Sequence, residues 1–206
     1  MGQYYKAIIL NDKTNKDDKE TIKSWVSPYD YNNGSKLMEH SWLGNHYVHA
    51  FETLIYDKPS RVVWAGDYAD KENSEENLYD MAQDKTNVKP KIDKDKFIEN
   101  ATYRYIINHT KNEYIDKTIL PINDSYTDKT TGETWDYYIH PLPLLTSEGN
   151  GRGGGDFHTN DEHVENMIGD WARDVIEVTN DVTKTDGMTF VIINFIEKHN
   201  IKPVEN

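Results

Sequence analysis

One stretch of this 206-residue chain, residues 35–56, repeats its apolar residues at a helical period, and it constrains the fold more than any other feature. Ser35 is placed to cap it, and in its second half Tyr47, Val48, Phe51, Leu54 and Ile55 fall on one face. A second, shorter helix fits the acidic stretch 75–83. Most other apolar residues come in short runs rich in β-branched and aromatic side chains, at 4–11, 21–26, 61–64, 103–107, 114–120, 134–139, 172–178 and 188–195, which is strand composition. No alternation of strand and helix of the kind that builds a parallel sheet is visible. The sequence therefore predicts an α+β fold, a mainly antiparallel β-sheet with one long helix packed on it.

Turn formers punctuate these runs. Residues 27–34 concentrate Pro, Asn and Gly, and residues 128–133 (DKTTGE) make the turn before the strand at 134–139. Pro141 and Pro143 place the following segment at a sheet edge or outside the sheet. Residues 84–96 alternate charges with almost no apolar residue and read as an exposed excursion rather than a linker, so residues 1–206 form a single domain. Gly66-Asp67-Tyr68-Ala69 and Gly169-Asp170-Trp171-Ala172 share a pattern too short to define a repeat.

Composition narrows the functional classes. Apolar residues make up 36% of the chain, and 14 Tyr, 5 Trp and 5 Phe supply surface to bury, which argues against a disordered chain. The absence of cysteine removes disulfides, thiolate nucleophiles and Cys-ligated zinc, and suits a reducing compartment. The apolar run at residues 7–10 is too short for a signal or spanning segment, so the expected location is the cytoplasm, with no membrane contact. With 23 Lys+Arg against 36 Asp+Glu the net charge is −13, which repels phosphate backbones; direct nucleic-acid binding is not expected.

Several constellations have the residue types of a functional site. The glycine run 149–155 strips Cβ atoms so that backbone N–H groups can approach an anion, and Arg152 in its middle is suited to clamp a carboxylate or phosphate. It matches neither GxxxxGK[ST] nor GxGxxG, and a plain surface loop has the same composition. Asp156, His158, Asp161, Glu162 and His163 gather potential ligands, yet also read as a helix cap. His46 and His49 share one side of the main helix without the HExxH spacing. Asp67 and Asp70 flank Tyr68 after a buried strand, where two carboxylates can act as acid and base, with Glu39 and His40 facing them from the helix; the alternative is a turn whose carboxylates bind backbone N–H groups. The expected site is thus catalytic Glu39, His40, Asp67 and Asp70 with ligand-binding Tyr68, Arg152, Gly153 and Asp156, all at one cleft beside the long helix. No metal site is assigned, and no cofactor is identified.

The segments Met1-Gly2-Gln3-Tyr4-Tyr5-Lys6, residues 33–42 (NGSKLMEHSW), residues 64–70 (WAGDYAD) and residues 149–156 (GNGRGGGD) together resemble a family of uncharacterised small proteins of bacteriophages and bacteria. The resemblance touches four short segments and carries no catalytic residue. What it implies is an accessory protein that binds a host protein or a small anionic ligand and interferes with a host or defence function. Two other readings stay open: a metal-assisted phosphoesterase or nucleotide-processing hydrolase built on Asp67, Asp70, His40 and the Arg152 loop, and a virion-associated structural protein.

Overall fold

The ten strands in chain order are β1 (Tyr5–Leu10), β2 (Ile22–Val26), β3 (Ser60–Gly66), β4 (Tyr105–Asn108), β5 (Glu113–Asp116), β6 (Asp124–Thr127), β7 (Thr134–Tyr137), β8 (Ser147–Glu148), β9 (Val175–Thr179) and β10 (Thr189–Phe190). The helices are α1 (Leu37–His40), α2 (His46–Ile55), α3 (Leu78–Met81), α4 (Pro141–Leu145) and α5 (Glu162–Met167). The structure, a computed structural model, describes residues 3–15, 18–72, 76–95, 98–99, 102–149, 157, 159 and 161–197.

Eight strands form one sheet in the order β10-β5-β4-β9-β3-β1-β2, with β8 added beside β3; β6 and β7 form a separate hairpin. The pairings are antiparallel except for β10 with β5 and β3 with β8, each only two residues long. β1 is buried along its whole length because β2 and β3 cover both its edges and apolar layers cover both its faces. Alternation divides its side chains: Tyr5, Ala7 and Ile9 join the larger core, Ile8 and Leu10 the smaller. The larger core lies under α2, with Phe51, Trp64 and Trp171 among its most enclosed side chains. Burying an apolar side chain of this size stabilises by about 2–3 kcal/mol. The smaller core is closed by Leu78 of α3 and by Ala82.

The long helix expected over residues 35–56 is interrupted. α1 ends at His40, the chain leaves the helical path with Gly44 at φ 83°, and α2 starts only after Asn45, whose Oδ1 accepts from Tyr47 N (2.9 Å) and Val48 N (3.2 Å). The break exists because residues 41–43 are needed elsewhere: Trp42 bridges Ile139, Leu43 N donates to Tyr138 O (3.0 Å) and His140 N donates to Ser41 O (2.8 Å). Ser35 does not cap the first piece. Its carbonyl accepts from Tyr5 N, and α1 is instead held at its start by Glu39 Oε2, which accepts from Lys36 N (3.0 Å).

The proline segment lies outside the sheet, as its prolines imply. Residues 141–145 are a buried helix with Pro in its first turn, where a missing N–H costs nothing, and His140 Nδ1 accepts from Leu142 N (3.2 Å). The run at 172–178 starts its ladder only at Val175, since Arg173 has φ 67° and turns the chain. Arg173 pairs there with Glu148 and Glu72 and lies 3.7 Å from Glu20. The two Gly-Asp-aromatic-Ala segments are matching turns, each closed by an Ala N–H to Gly C=O bond of 3.1 Å, and they flank β8 from two sides. Of the stretch at 84–96, residues 84–95 are described. They are mostly exposed yet tied back, with Asn87 bridging Trp25 and Tyr31 Oη donating to Pro90 O (2.7 Å).

Candidate functional site

Of the residues expected to form one cleft, Glu39, His40, Asp67, Tyr68 and Asp70 are described, and each has its own setting. His40 is fully buried. Its Nε2 accepts the indole N–H of Trp64 (2.9 Å), so Nδ1 carries the ring proton and donates to Gly34 O (3.1 Å). Burial holds its pKa down at about 4 despite that carbonyl, so the ring is neutral and fully committed. Glu39 is the cap of α1, and its carboxylate folds over Gly34, where a Cβ would meet it. Asp67 Oδ1 accepts from Tyr4 N (3.1 Å), and the turn behind it is pinned by Asn77 Nδ2 on Asp67 O (3.0 Å) and Ala69 O (3.3 Å). Tyr68 and Asp70 point outward on that turn. Tyr4, bridged to Lys36 on one side and bonded to Asp67 on the other, brings the Glu39 and Asp67 segments to the start of β1 but stands between them. Arg152, Gly153 and Asp156 lie outside the described residues. Among the described residues no three His, Asp or Glu side chains are grouped as a metal would need.

A second cluster was not foreseen. Glu52 on α2 is buried, and its Oε1 takes both Lys117 Nζ (2.6 Å) and His140 Nε2 (3.0 Å). Since His140 Nδ1 is an acceptor for Leu142 N, its Nε2 carries the proton and donates to Glu52. Burial pushes the Glu52 carboxyl up, but Lys117 and His140 more than offset it, and it lies below the usual carboxylate range. The cluster joins α2 to the turn after β5 and to the start of α4. His49, one turn before Glu52, stacks on Tyr103 (5.3 Å, 9°) and lines a 390 Å³ cavity with Lys91, Asp93 and Thr102.

Three exposed aromatic side chains, Tyr126, Trp135 and Tyr137, lie on the hairpin of β6 and β7, all of whose strand residues are exposed. Register places Asp124 opposite Tyr137 and Tyr126 opposite Trp135, so these four share one face. Tyr126 and Trp135 stack at 6.0 Å and 17°. Tyr137 meets Trp42 edge-on at 6.3 Å, which leads the aromatic face into a 590 Å³ cleft lined by Trp42, Leu43, Tyr137, Asn123, Asp124 and Glu197. The break between α1 and α2 is what delivers Trp42 to this wall. Asn123 is nearly enclosed; its Oδ1 accepts from Glu197 N (2.9 Å), which fixes Nδ2 as the other atom, and Nδ2 is buried without a partner among the described residues. Such an amide is a donor without an acceptor, a costly arrangement unless a ligand completes it.

Trp42 stood inside the predicted helix and gave no separate signal. The hairpin face had one: aromatic Tyr126, Trp135 and Tyr137 alternate with polar Ser125 and Asp136 around the DKTTGE turn, which puts all three rings on one side. Among the described residues no helix is long and apolar enough to cross a membrane. Compared with protein-family models, with curated proteins and with solved structures, the chain finds no match.

Proposed function

We propose that this chain is a non-enzymatic accessory protein of the phage type, which binds a host protein by receiving a basic, extended segment on the aromatic face of the β6–β7 hairpin and in the Trp42 cleft. The observation that carries the reading is the continuity of three exposed rings with a cleft holding an unpartnered buried amide. Exposed aromatic residues of this kind mark interaction surfaces, where Tyr and Trp contribute most of the binding energy. The charge of the partner follows from the hairpin itself. Residues 124–137 carry Asp124, Asp128, Glu133 and Asp136 against Lys129 alone. An Arg or Lys side chain entering the cleft beside Trp42 and Tyr137 meets their rings and the Asp124 carboxylate, and a backbone carbonyl beside it meets Asn123 Nδ2.

Of the residues in the hydrolase reading, His40 is committed within the fold, its two ring nitrogens bonded to Trp64 and Gly34. The test is calorimetric titration with a ten-residue Arg/Ser peptide and its Glu/Ser counterpart. The Arg peptide is expected to bind with Kd in the micromolar range, about −8 kcal/mol, weakening with salt. Because a −13 chain attracts any polycation, the deciding arm is Trp135→Ala with Tyr137→Ala, expected to lose at least tenfold. Unchanged affinity in that variant, or equal binding of the Glu peptide, would sink the proposal.

A further inference from the structure

Lys6 occupies a position where strand alternation calls for an apolar side chain. It precedes Ile8 and Leu10 on the face of β1 that builds the smaller core, and it is 7% exposed. Its Nζ lies 3.9 Å from the centre of the Tyr79 ring and 5.0 Å from that of Trp25, and it donates to Tyr79 O (2.8 Å) and Gln83 Oε1 (3.4 Å). Around it is a cavity of 180 Å³, walled by Trp25, Tyr29 and Tyr79 and by the hydroxyl-bearing Ser27 and Ser35. Among the described residues no carboxylate lines it, in a chain of net charge −13. Ser27 stands at the start of the single turn Pro28–Tyr31 and is 8% exposed, yet its hydroxyl makes no capping bond. Its hydroxyl is therefore not committed to the turn it precedes.

We propose that this cavity is a binding site for a small, flat monocarboxylate, its carboxylate held by Lys6 Nζ and the Ser27 hydroxyl and its ring lying among Trp25, Tyr29 and Tyr79. Size agrees with this, because an apolar cavity of about 150 Å³ accommodates benzene. The Gln83 bond is the longer of the two that Lys6 makes, so it is the one a carboxylate displaces in exchange for a charge-assisted bond in a low-dielectric setting. The aromatic walls suit a planar ligand by offset or edge contacts. A monoanion fits better than phosphate, since among the described residues lining the cavity Lys6 is the one cation, and a second negative charge would find none to offset it. The site shares no lining residue with the Trp42 cleft and stands or falls independently of it.

The test is titration of the full chain at pH 7 with benzoate, benzamide and inorganic phosphate. Benzoate is expected to bind saturably with Kd of about 1 mM or tighter, appropriate to a ligand of this size. Benzamide, the same shape without charge, is expected to bind at least tenfold more weakly. Lys6→Met, shown folded by circular dichroism, is expected to lose at least tenfold. Tyr29→Ala keeps the test decisive if that variant fails to fold, because Tyr29 is 69% exposed and its removal leaves both cores intact; it is expected to weaken benzoate several-fold. Equal binding of benzamide, phosphate binding more tightly than benzoate, unchanged affinity in Tyr29→Ala or in a folded Lys6→Met, or no saturation by about 20 mM benzoate would each overturn the assignment.

Discussion

Trp64 donates its indole N–H to Nε2 of His40 across 2.9 Å in the middle of the larger core; this bond sets the tautomer of that histidine, and burial keeps the ring neutral. The ring is neutral in the folded state, with a pKa near 4 against an ordinary 6.5. Between these values the unfolded chain holds a proton that the folded chain does not, so stability rises with pH across that window and is lost as pH falls from 6.5 towards 4. His40 alone accounts for about 3 kcal/mol of this change. Urea unfolding between pH 4 and 7 is expected to show the slope in the wild type and a shallower one in His40→Gln; superimposable slopes would refute the assigned role.

Lys117 and Glu52 form a pair that is both enclosed and charged. Lys117→Met leaves the Glu52 carboxylate buried with only a neutral His140 beside it, at an expected cost of about 3–5 kcal/mol. Adding Glu52→Gln removes the stranded charge and keeps an oxygen for His140 Nε2–H, so the double variant is expected to be more stable than Lys117→Met alone. Chemical denaturation of the four forms completes the cycle, and strictly additive effects would show that the two groups are uncoupled.

Two glycines with the same backbone conformation are expected to respond differently to alanine. Gly132 and Gly169 both have φ +74°, but an added Cβ at Gly132 meets open space, whereas at Gly169 it comes to 2.5 Å from Ser147 O. Gly132→Ala is expected to cost about 1 kcal/mol, the strain of a left-handed alanine. Gly169→Ala is expected to cost at least twice that, because the β8 backbone beside β3 must move. Equal melting temperatures for the two variants would contradict the close approach.

The hairpin carries rings without being part of either core. Trp135→Ala is therefore expected to change unfolding free energy by less than about 1 kcal/mol. Hydrogen exchange is expected to run at least 100-fold faster at residues 124–127 and 134–137 than in β1, whose amides open only with the whole sheet. Slow exchange throughout the hairpin would mean that it is held by contacts beyond its own ladder.

Much of the local architecture was legible in the residues. The runs at 4–11 and 21–26 are β1 and β2, antiparallel as their separation by a polar loop implied, and the DKTTGE turn joins β6 to β7. The apolar face of Tyr47, Val48, Phe51 and Ile55 is the buried face of α2. The helix break at 41–45 was not legible, because Ser41, Trp42 and Leu43 are compatible with a helix and leave it only to pair with residues 138–140, almost a hundred positions later. The same holds for His40. A histidine beside a glutamate looks like chemistry until the indole that occupies it, 24 residues away, is brought alongside.

By itself the sequence determined the periods: which residues alternate, which fall on a helical face, where Pro and Gly turn the chain, and the surplus of negative charge. These follow from near-neighbour sterics and composition, which act whatever the rest of the chain does. Only the tertiary structure decided that β9 inserts between β3 and β4, that Trp42 and Tyr137 wall one cleft, and that Lys6 stands in an aromatic cavity. Those arrangements depend on pairings between distant segments, whose energies are set by the shared cores they bury, and no local pattern encodes which distant partner will be met.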